Sequence, residues 1–241
     1  MNRLYAATAW LCLALMPLPA HASMEISGTR VIYPASAGSV TVQTTNRDTV
    51  PYLVKVWVDR EDTEGAENSD VPFVVTPPMS RVEAGDSQAL RLARVAPIAA
   101  QDRESVFWLN VLAIPPHAPE TIAGKNILQF AVRTRIKIFF RPPGLPGSAH
   151  DAPAALAWRA FHARGEWFLE CSNPTPFHVS MAEVAMDGFD AIGGLMVAPM
   201  SSLRMKLGRA PGSDRVLVGT LSTVNDHGAV VERPLRVVSD R

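Results

Sequence analysis

The 241-residue chain balances 23 Lys+Arg against 23 Asp+Glu, which argues against a non-specific nucleic-acid or membrane-surface binder while leaving room for a local basic site. Its 20 prolines and 15 glycines follow no repeat period, so many short elements joined by turns are expected, an all-β chain.

The chain opens on Asn2-Arg3, an apolar run over 4–16, then Pro17, Pro19 and Ala20-His21-Ala22. This is the pattern of a cleaved secretory signal, with an apolar segment too short to span a bilayer. Residues 1–22 are therefore expected to be removed, leaving an exported, soluble product that starts at Ser23 and has no membrane span. Cys12 falls inside that signal and Cys171 stands alone, so stability must come from burial rather than from an internal disulfide. What remains fits two β-sandwich domains of about 100 residues each.

Residues 24–34 (MEISGTRVIYP) read as a short strand with Arg30 at its middle. Residues 39–45 alternate with Val40 and Val42 on one face, and in 51–58 (PYLVKVWV) Tyr52, Val54, Val56 and Val58 alternate with Leu53, Lys55 and Trp57, so burial of both faces is expected. The acidic and polar run 59–70 is a loop, 73–76 a short strand ended by Pro77-Pro78, and 87–94 a strand after the Gly85 turn with Leu90 and Leu92 on one side. Residues 105–114 (SVFWLNVLAI) are a strongly apolar strand stopped by Pro115-Pro116, and 115–125 return the chain.

The stretch 126–143 (NILQFAVRTRIKIFFRPP) is the most informative. Leu128, Phe130 and Val132 alternate with Gln129, Ala131 and Arg133, and the even-numbered apolar set continues through Ile136, Ile138 and Phe140 until Pro142-Pro143. Such a period-two run far exceeds the usual strand of about five or six residues. A strand this long, carrying Arg133, Arg135 and Lys137, should outrun a small sheet. It is either a core strand with a solvated basic face or an edge strand kept apolar to be lent to another protein by strand addition.

Seven strands in this rhythm make one immunoglobulin-like sandwich over 23–141. A Pro/Gly/Ser/Ala-rich linker follows over 142–153, and a second domain over 154–241 has short strands at 157–161, 165–171, 176–185, 194–198, 202–207, 216–221 and 234–238. Met181, Met186, Met196, Met200 and Met205 raise a soft-metal site, since thioethers favour Cu(I). Spread over separate strands they read instead as core filling, and no metal or cofactor is expected.

Several local patterns agree with one family. The run ESVFWLNVLAIPP over 104–116 resembles the signature of the periplasmic pilus chaperones of the chaperone/usher pathway. TRVIYP over 29–34, Thr76-Pro77-Pro78 with Arg81 and Gly85, and RIKIFFRP over 135–142 are similar to the same family, as are Asn173-Pro174-Thr175-Pro176 and Asn225-Asp226-His227-Gly228. The resemblance implies two immunoglobulin-like domains set as a boomerang around a cleft. It implies a chaperone that lends a strand to pilin subunits lacking their own last strand, then delivers them to an outer-membrane usher for pilus assembly. Leu128, Phe130 and Val132 match the lent strand's anchors. Arg30 and Lys137 match the basic pair that holds the subunit's C-terminal carboxylate, and Glu104, Arg141 and Asp226 match a buried charge cluster between the domains.

Lys137 has the opposite parity to Leu128, Phe130 and Val132, so a twist or a bulge would be needed to bring it to their side. The short link over 115–125 resembles the class that serves rod-like pili. Ala84 stands before Gly85 where proline is common, and the C-terminal disulfide of some members is missing. An exposed apolar edge would also encourage the free chain to dimerise.

Two other functions compete. Glu104 and Asp226 could be paired carboxylates of a glycosidase, yet Arg141 would hold both ionised when hydrolysis usually needs one protonated. There is no G-x-S-x-G and no close histidine pair, so the chain is not expected to be an enzyme. A structural or adhesive immunoglobulin-like protein is the second alternative, although a pilus subunit would more simply be one incomplete sandwich with its own N-terminal donor.

Overall fold

The computed structural model describes residues 24–60, 71–116, 128–208 and 216–239. The signal over 1–22, most of the acidic loop and most of the 115–125 link lie outside the described residues.

The first domain contains nine described strands rather than the seven expected: β1 (Met24–Ile26), β2 (Arg30–Pro34), β3 (Ser39–Asn46), β4 (Tyr52–Asp59), β5 (Phe73–Thr76), β6 (Met79–Val82), β7 (Ser87–Arg94), β8 (Ser105–Ile114) and β9 (Val132–Arg141). They form two sheets, β1-β3-β7-β5 and β2-β9-β8-β4-β6. The two extra strands arise where the chain changes sheets. Ser27-Gly28-Thr29 splits the first predicted strand, with Gly28 at φ 90° in the left-handed region that glycine tolerates. β1 thereby pairs with β3, while β2 crosses to run parallel to β9. Pro77-Pro78 ends β5 as expected, but the chain then continues as β6 on β4 in the other sheet.

The alternating apolar residues of both sheets face each other. Val42, Leu90 and Leu92 from one sheet meet Val54, Val56, Leu109, Val111, Ile136 and Ile138 from the other. Tyr33, Phe73, Phe107 and Phe140 add an edge-to-face aromatic cluster, with Phe73 centred 5.1 Å from both Tyr33 and Phe107. The buried Tyr33 hydroxyl donates to Gly38 O at 3.2 Å and accepts from Arg94 N at 3.0 Å, so its polar end is satisfied. In β4 Val54, Val56 and Val58 are buried on one face, while on the other Leu53 is exposed, Lys55 and Trp57 are partly covered and Asp59 at the strand's end is buried; its two faces are unequal rather than both internal.

The second domain has seven described strands, β10 (Ala157–Ala163), β11 (Glu166–Asn173), β12 (Val179–Met186), β13 (Ile192–Val197), β14 (Ser201–Leu207), β15 (Val216–Val224) and β16 (Val230–Ser239). They are hydrogen-bonded in the order β13-β12-β15-β16-β10-β11-β14. Met181, Met186 and Met205 sit in its core beside Leu169, Val184 and Val237, whereas Met200 is exposed in a turn. The segment joining the domains is not an open linker. Leu145, Ala149 and Ala152 pack on the second core, and a short 3-10 turn spans Ala152–Ala155.

Each domain fastens a turn with one buried asparagine. Asn46 Nδ2 donates to Val50 O and Val82 O at 2.8 and 3.1 Å, and its Oδ1 accepts from Asp48 N. Asn173 Nδ2 donates to Phe177 O and Ala198 O at 2.7 and 3.0 Å, and its Oδ1 accepts from Thr175 N. The second turn delivers His178 to the domain boundary.

Cys171 is fully buried in the second core, and burial pushes its thiol up to about 12. A thiol that stays protonated and covered is a poor nucleophile. Cys171 in the native chain is therefore expected to resist an aromatic disulfide reagent at mildly alkaline pH and to react fully in guanidinium chloride. Equal rates in both states would contradict the described core.

Candidate functional site

The site is built on β9, whose two faces do different things. Its even-numbered residues Ile136, Ile138 and Phe140 lie in the first core. Its odd-numbered residues lie on the other face, where Phe139 comes within 5.7 Å of the His178 ring of the second domain and Arg141 bonds Asp226. The pairing with β8 runs one to one from Ser105↔Phe140 to Ala113↔Val132 without a register shift. The opposite parity of Lys137 therefore needs neither a bulge nor a special twist, because the cleft lies on the odd-numbered face.

Past Val132 the ladder stops. β8 ends at Ile114, and Pro115-Pro116 offer no N–H to continue it. Asn126 lies outside the described residues, and of the expected long strand only Val132 onward is in the sheet; Leu128 and Phe130 project beyond it at 76% and 68% exposure, and Val132, its last paired residue, is 49% exposed. They carry on the parity of the core row with no core of their own to fill. Gln129 Nε2 donates to Pro116 O at 2.7 Å, one bond holding the segment near the end of β8.

Arg30 and Lys137 are register partners on the parallel strands β2 and β9, and so stand side by side on the cleft face. Arg30 Nη1 donates to Val224 O at 2.9 Å, and its guanidinium lies 5.9 Å from the Phe139 ring centre. Burial lowers the Arg30 pKa from its ordinary value, opposed by the attraction of Asp226 and Glu104. Lys137 Nζ lies 5.4 Å from the Trp108 ring centre, and Arg135 stacks on the same ring at 4.4 Å. A cation pair walled by aromatic faces suits a carboxylate. Arg133 and Arg135, which the core-strand alternative would leave on a solvated basic face, pair with the buried Asp59 at 3.1 and 2.7 Å.

Glu104, Arg141 and Asp226 also come together. Arg141 Nη2 and Nε donate to Glu104 Oε1 at 2.8 and 3.1 Å, and Arg141 Nη1 and Nη2 donate to Asp226 Oδ2 and Oδ1 at 2.8 and 3.2 Å. One guanidinium fork thereby bridges two domains. Burial pulls the Arg141 pKa down, but hydrogen bonds to Asp226 and Glu104 outweigh it and leave the value raised. The cluster is not uniformly buried: the Glu104 side chain is 1% exposed and that of Asp226 38%.

Sequence reasoning missed His178. Its backbone N–H donates to Glu104 Oε2 at 2.9 Å, and its Nδ1 lies 3.0 Å from the same oxygen, while Glu104 N donates to Pro176 O. Its position directly after Asn-Pro-Thr-Pro-Phe was the available signal. At the other side, Asn225 Oδ1 accepts from His227 N and Ala229 N to shape the turn that carries Asp226. Gly228 lies there at φ 84°, and a Cβ on it would come 2.5 Å from Thr29 Oγ1, next to Arg30. A cavity of about 130 Å³ between the domains is lined by Arg30, Phe139, Arg141, His178, Asp226 and Arg233 among others.

Removing one member of a buried charge network strands the rest, at roughly 3–5 kcal/mol, whereas exposed pairs contribute about 0–1 kcal/mol. Glu104→Gln should therefore lower stability in urea by about 3 kcal/mol or more, and Asp226→Asn by about 1 kcal/mol or less. Equal losses in the two variants would contradict the graded burial of the cluster.

With this geometry in place, comparison with known proteins is direct. Residues 23–146 match the family described as pili and flagellar-assembly chaperone, PapD N-terminal domain, and 151–234 match pili assembly chaperone PapD, C-terminal domain. The chain is 39% identical over 222 residues to the probable fimbrial chaperone YadV of Escherichia coli K12, covering 90% of each protein. The crystal structure of YadV superposes with a TM-score of 0.74 at 37% identity, covering 89% of this chain and 100% of that one. The SafB chaperone, solved with the Salmonella enterica SafA pilin, gives 0.73 at 29% identity, covering 92% and 98%. Two immunoglobulin-like domains joined through Glu104, Arg141 and Asp226, with both family matches in sequence, place this chain in the family of pilus-assembly chaperones.

Proposed function

We propose that this chaperone captures pilin subunits by lending them the segment 128–132 and anchoring their C-terminal carboxylate on Arg30 and Lys137. The observation that carries the reading is the change of surroundings along one strand. The same even-numbered row that fills the first core leaves the sheet at Val132 and continues exposed through Phe130 and Leu128.

A subunit lacking a strand offers apolar pockets and unpaired backbone, which strand addition satisfies together. Each inserted side chain contributes roughly 1.5–3 kcal/mol by burial before ordering costs are subtracted. Backbone pairing has little sequence preference, which suits a chaperone serving several subunits. The carboxylate fixes the register: charge-assisted hydrogen bonds to Arg30 and Lys137 are directional and strong, and once the lent segment is extended, nine residue steps at about 3.3 Å each set a span of roughly 30 Å from Lys137 to Leu128. Glu104, Arg141, Asp226 and His178 hold the second domain so that the cleft wall behind Arg30 stays in place.

The chain is proposed to be exported to the periplasm by the 1–22 signal and to pass its cargo to an outer-membrane usher. In the free state, the edge at 128–132 is open to pairing with a second copy. The described groups serve binding rather than bond-making chemistry, and no catalytic role is assigned.

Co-purification of a co-expressed cognate pilin tests the reading, after matching the accumulation of each chaperone variant. Phe130→Ala should weaken capture by roughly 10- to 100-fold, since about 1.4 kcal/mol is a factor of ten, with an unchanged melting temperature because Phe130 is exposed in the free chain. Lys137→Ala should lose the complex as well. Full recovery with both variants would contradict strand lending and the anchor together.

A further inference from the structure

Asp59 has no part in the strand or the anchor, yet it is a fully covered carboxylate at the end of β4. A buried charge is costly unless its oxygens are met by matching donors. Here Oδ2 accepts from Arg133 Nη2 at 3.1 Å and Oδ1 from Arg135 Nη2 at 2.7 Å. Both arginines belong to β9, and β8 lies between β9 and β4, so the two side chains reach across the middle strand. On the way Arg133 donates through Nε and Nη2 to Asn110 Oδ1 at 2.9 and 2.6 Å, and Arg135 donates to Arg60 O at 2.8 Å. Their guanidiniums also lie over Trp57 and Trp108, at 5.2 and 4.4 Å.

The position of this network matters more than its size. The last ladder pair of β9 is Val132↔Ala113, and Arg133 is the next residue. The strap therefore closes on the sheet where the ordered strand gives way to the exposed row. A segment that is to enter a partner's sheet loses less freedom on binding when its root is already fixed in direction and register.

We infer that Asp59 is a positioning residue for strand lending: through Arg133 and Arg135 it fixes the root of the segment 128–132 and so speeds and tightens subunit capture. The inference rests on the reading that this segment is lent. It does not require Asp59 to touch the subunit.

Hydrogen exchange on the free chaperone tests the strap without any subunit, and pilin capture tests its purpose. In Asp59→Asn the protected amides of residues 132–135 should exchange at least tenfold faster, while those of residues 138–140 stay unchanged. Capture of a cognate pilin should fall about tenfold, and Asp59→Glu should recover most of both losses. If Asp59→Asn fails to accumulate, Arg133→Gln, whose side chain is partly exposed, opens the same strap from the other end with the same expected signs. Unchanged exchange overturns the inference, and so does normal capture by the Asp59 variant beside lost capture by Phe130→Ala. Normal capture by Phe130→Ala would instead remove strand lending itself, and the proposed purpose of the strap with it.

Discussion

The structure depends on an uninterrupted register between β8 and β9, which makes β9 a ruler with two faces. Side chains on a strand alternate, so an unbroken pairing fixes which residues meet the core and which meet the second domain. Because no residue is inserted or skipped, Ile136, Ile138 and Phe140 fill the sandwich, while Phe139 and Arg141 line the boundary with the second domain and Lys137 shares their face of the strand. A single-residue slip would exchange the two sets and lose core and cleft at once. The Pro115-Pro116 stop on β8 then leaves the continuation of the core row without a partner strand among the described residues.

The second domain serves this ruler mainly as a wall. Arg141, the last residue of β9, carries the junction through two carboxylates, and His178 closes the remaining oxygen of Glu104. Buried ionic networks of this kind contribute less to net stability than to a defined arrangement, since much of their Coulombic gain offsets desolvation. In this protein the arrangement places Val224 against Arg30 and the 225–228 turn against Thr29. The backbone of one domain thereby orients a cation of the other, Arg30, whose register partner on β9 is Lys137.

Much of this was legible in the sequence because its signals are local. Period-two alternation marks the long strand, turn signals set off the seven short strands of the second domain, and motif matches single out Arg30, Lys137, Glu104, Arg141 and Asp226. What was not legible depended on crossings between sheets. The splitting of 24–34 at Gly28 and the continuation after Pro77-Pro78 into β6 are choices between two sheets, which a one-dimensional pattern does not encode. In sequence Asp59 stands at the edge of an acidic loop and nothing local marks Arg133 and Arg135 as its partners, because their meeting spans about 75 residues of sequence. His178 was hidden for the same reason: a histidine after a turn carries no mark of the carboxylate it will meet. The parity of Lys137 looked like an obstacle only while a single face was asked to do both tasks.

The central claim is that one terminal carboxylate, seated on Arg30 and Lys137, sets the register of a strand lent from the same β9. The most direct measurement is a double-mutant cycle in binding affinity, using a peptide of a cognate pilin's C-terminal strand with a free or an amidated end, against the wild type and Lys137→Ala. The account predicts that amidation and Lys137→Ala each weaken binding by about tenfold or more and that the combination is little worse than either, as expected of two changes that remove one interaction. Additive losses would contradict it, since they would mean that Lys137 and the peptide's end act in different places.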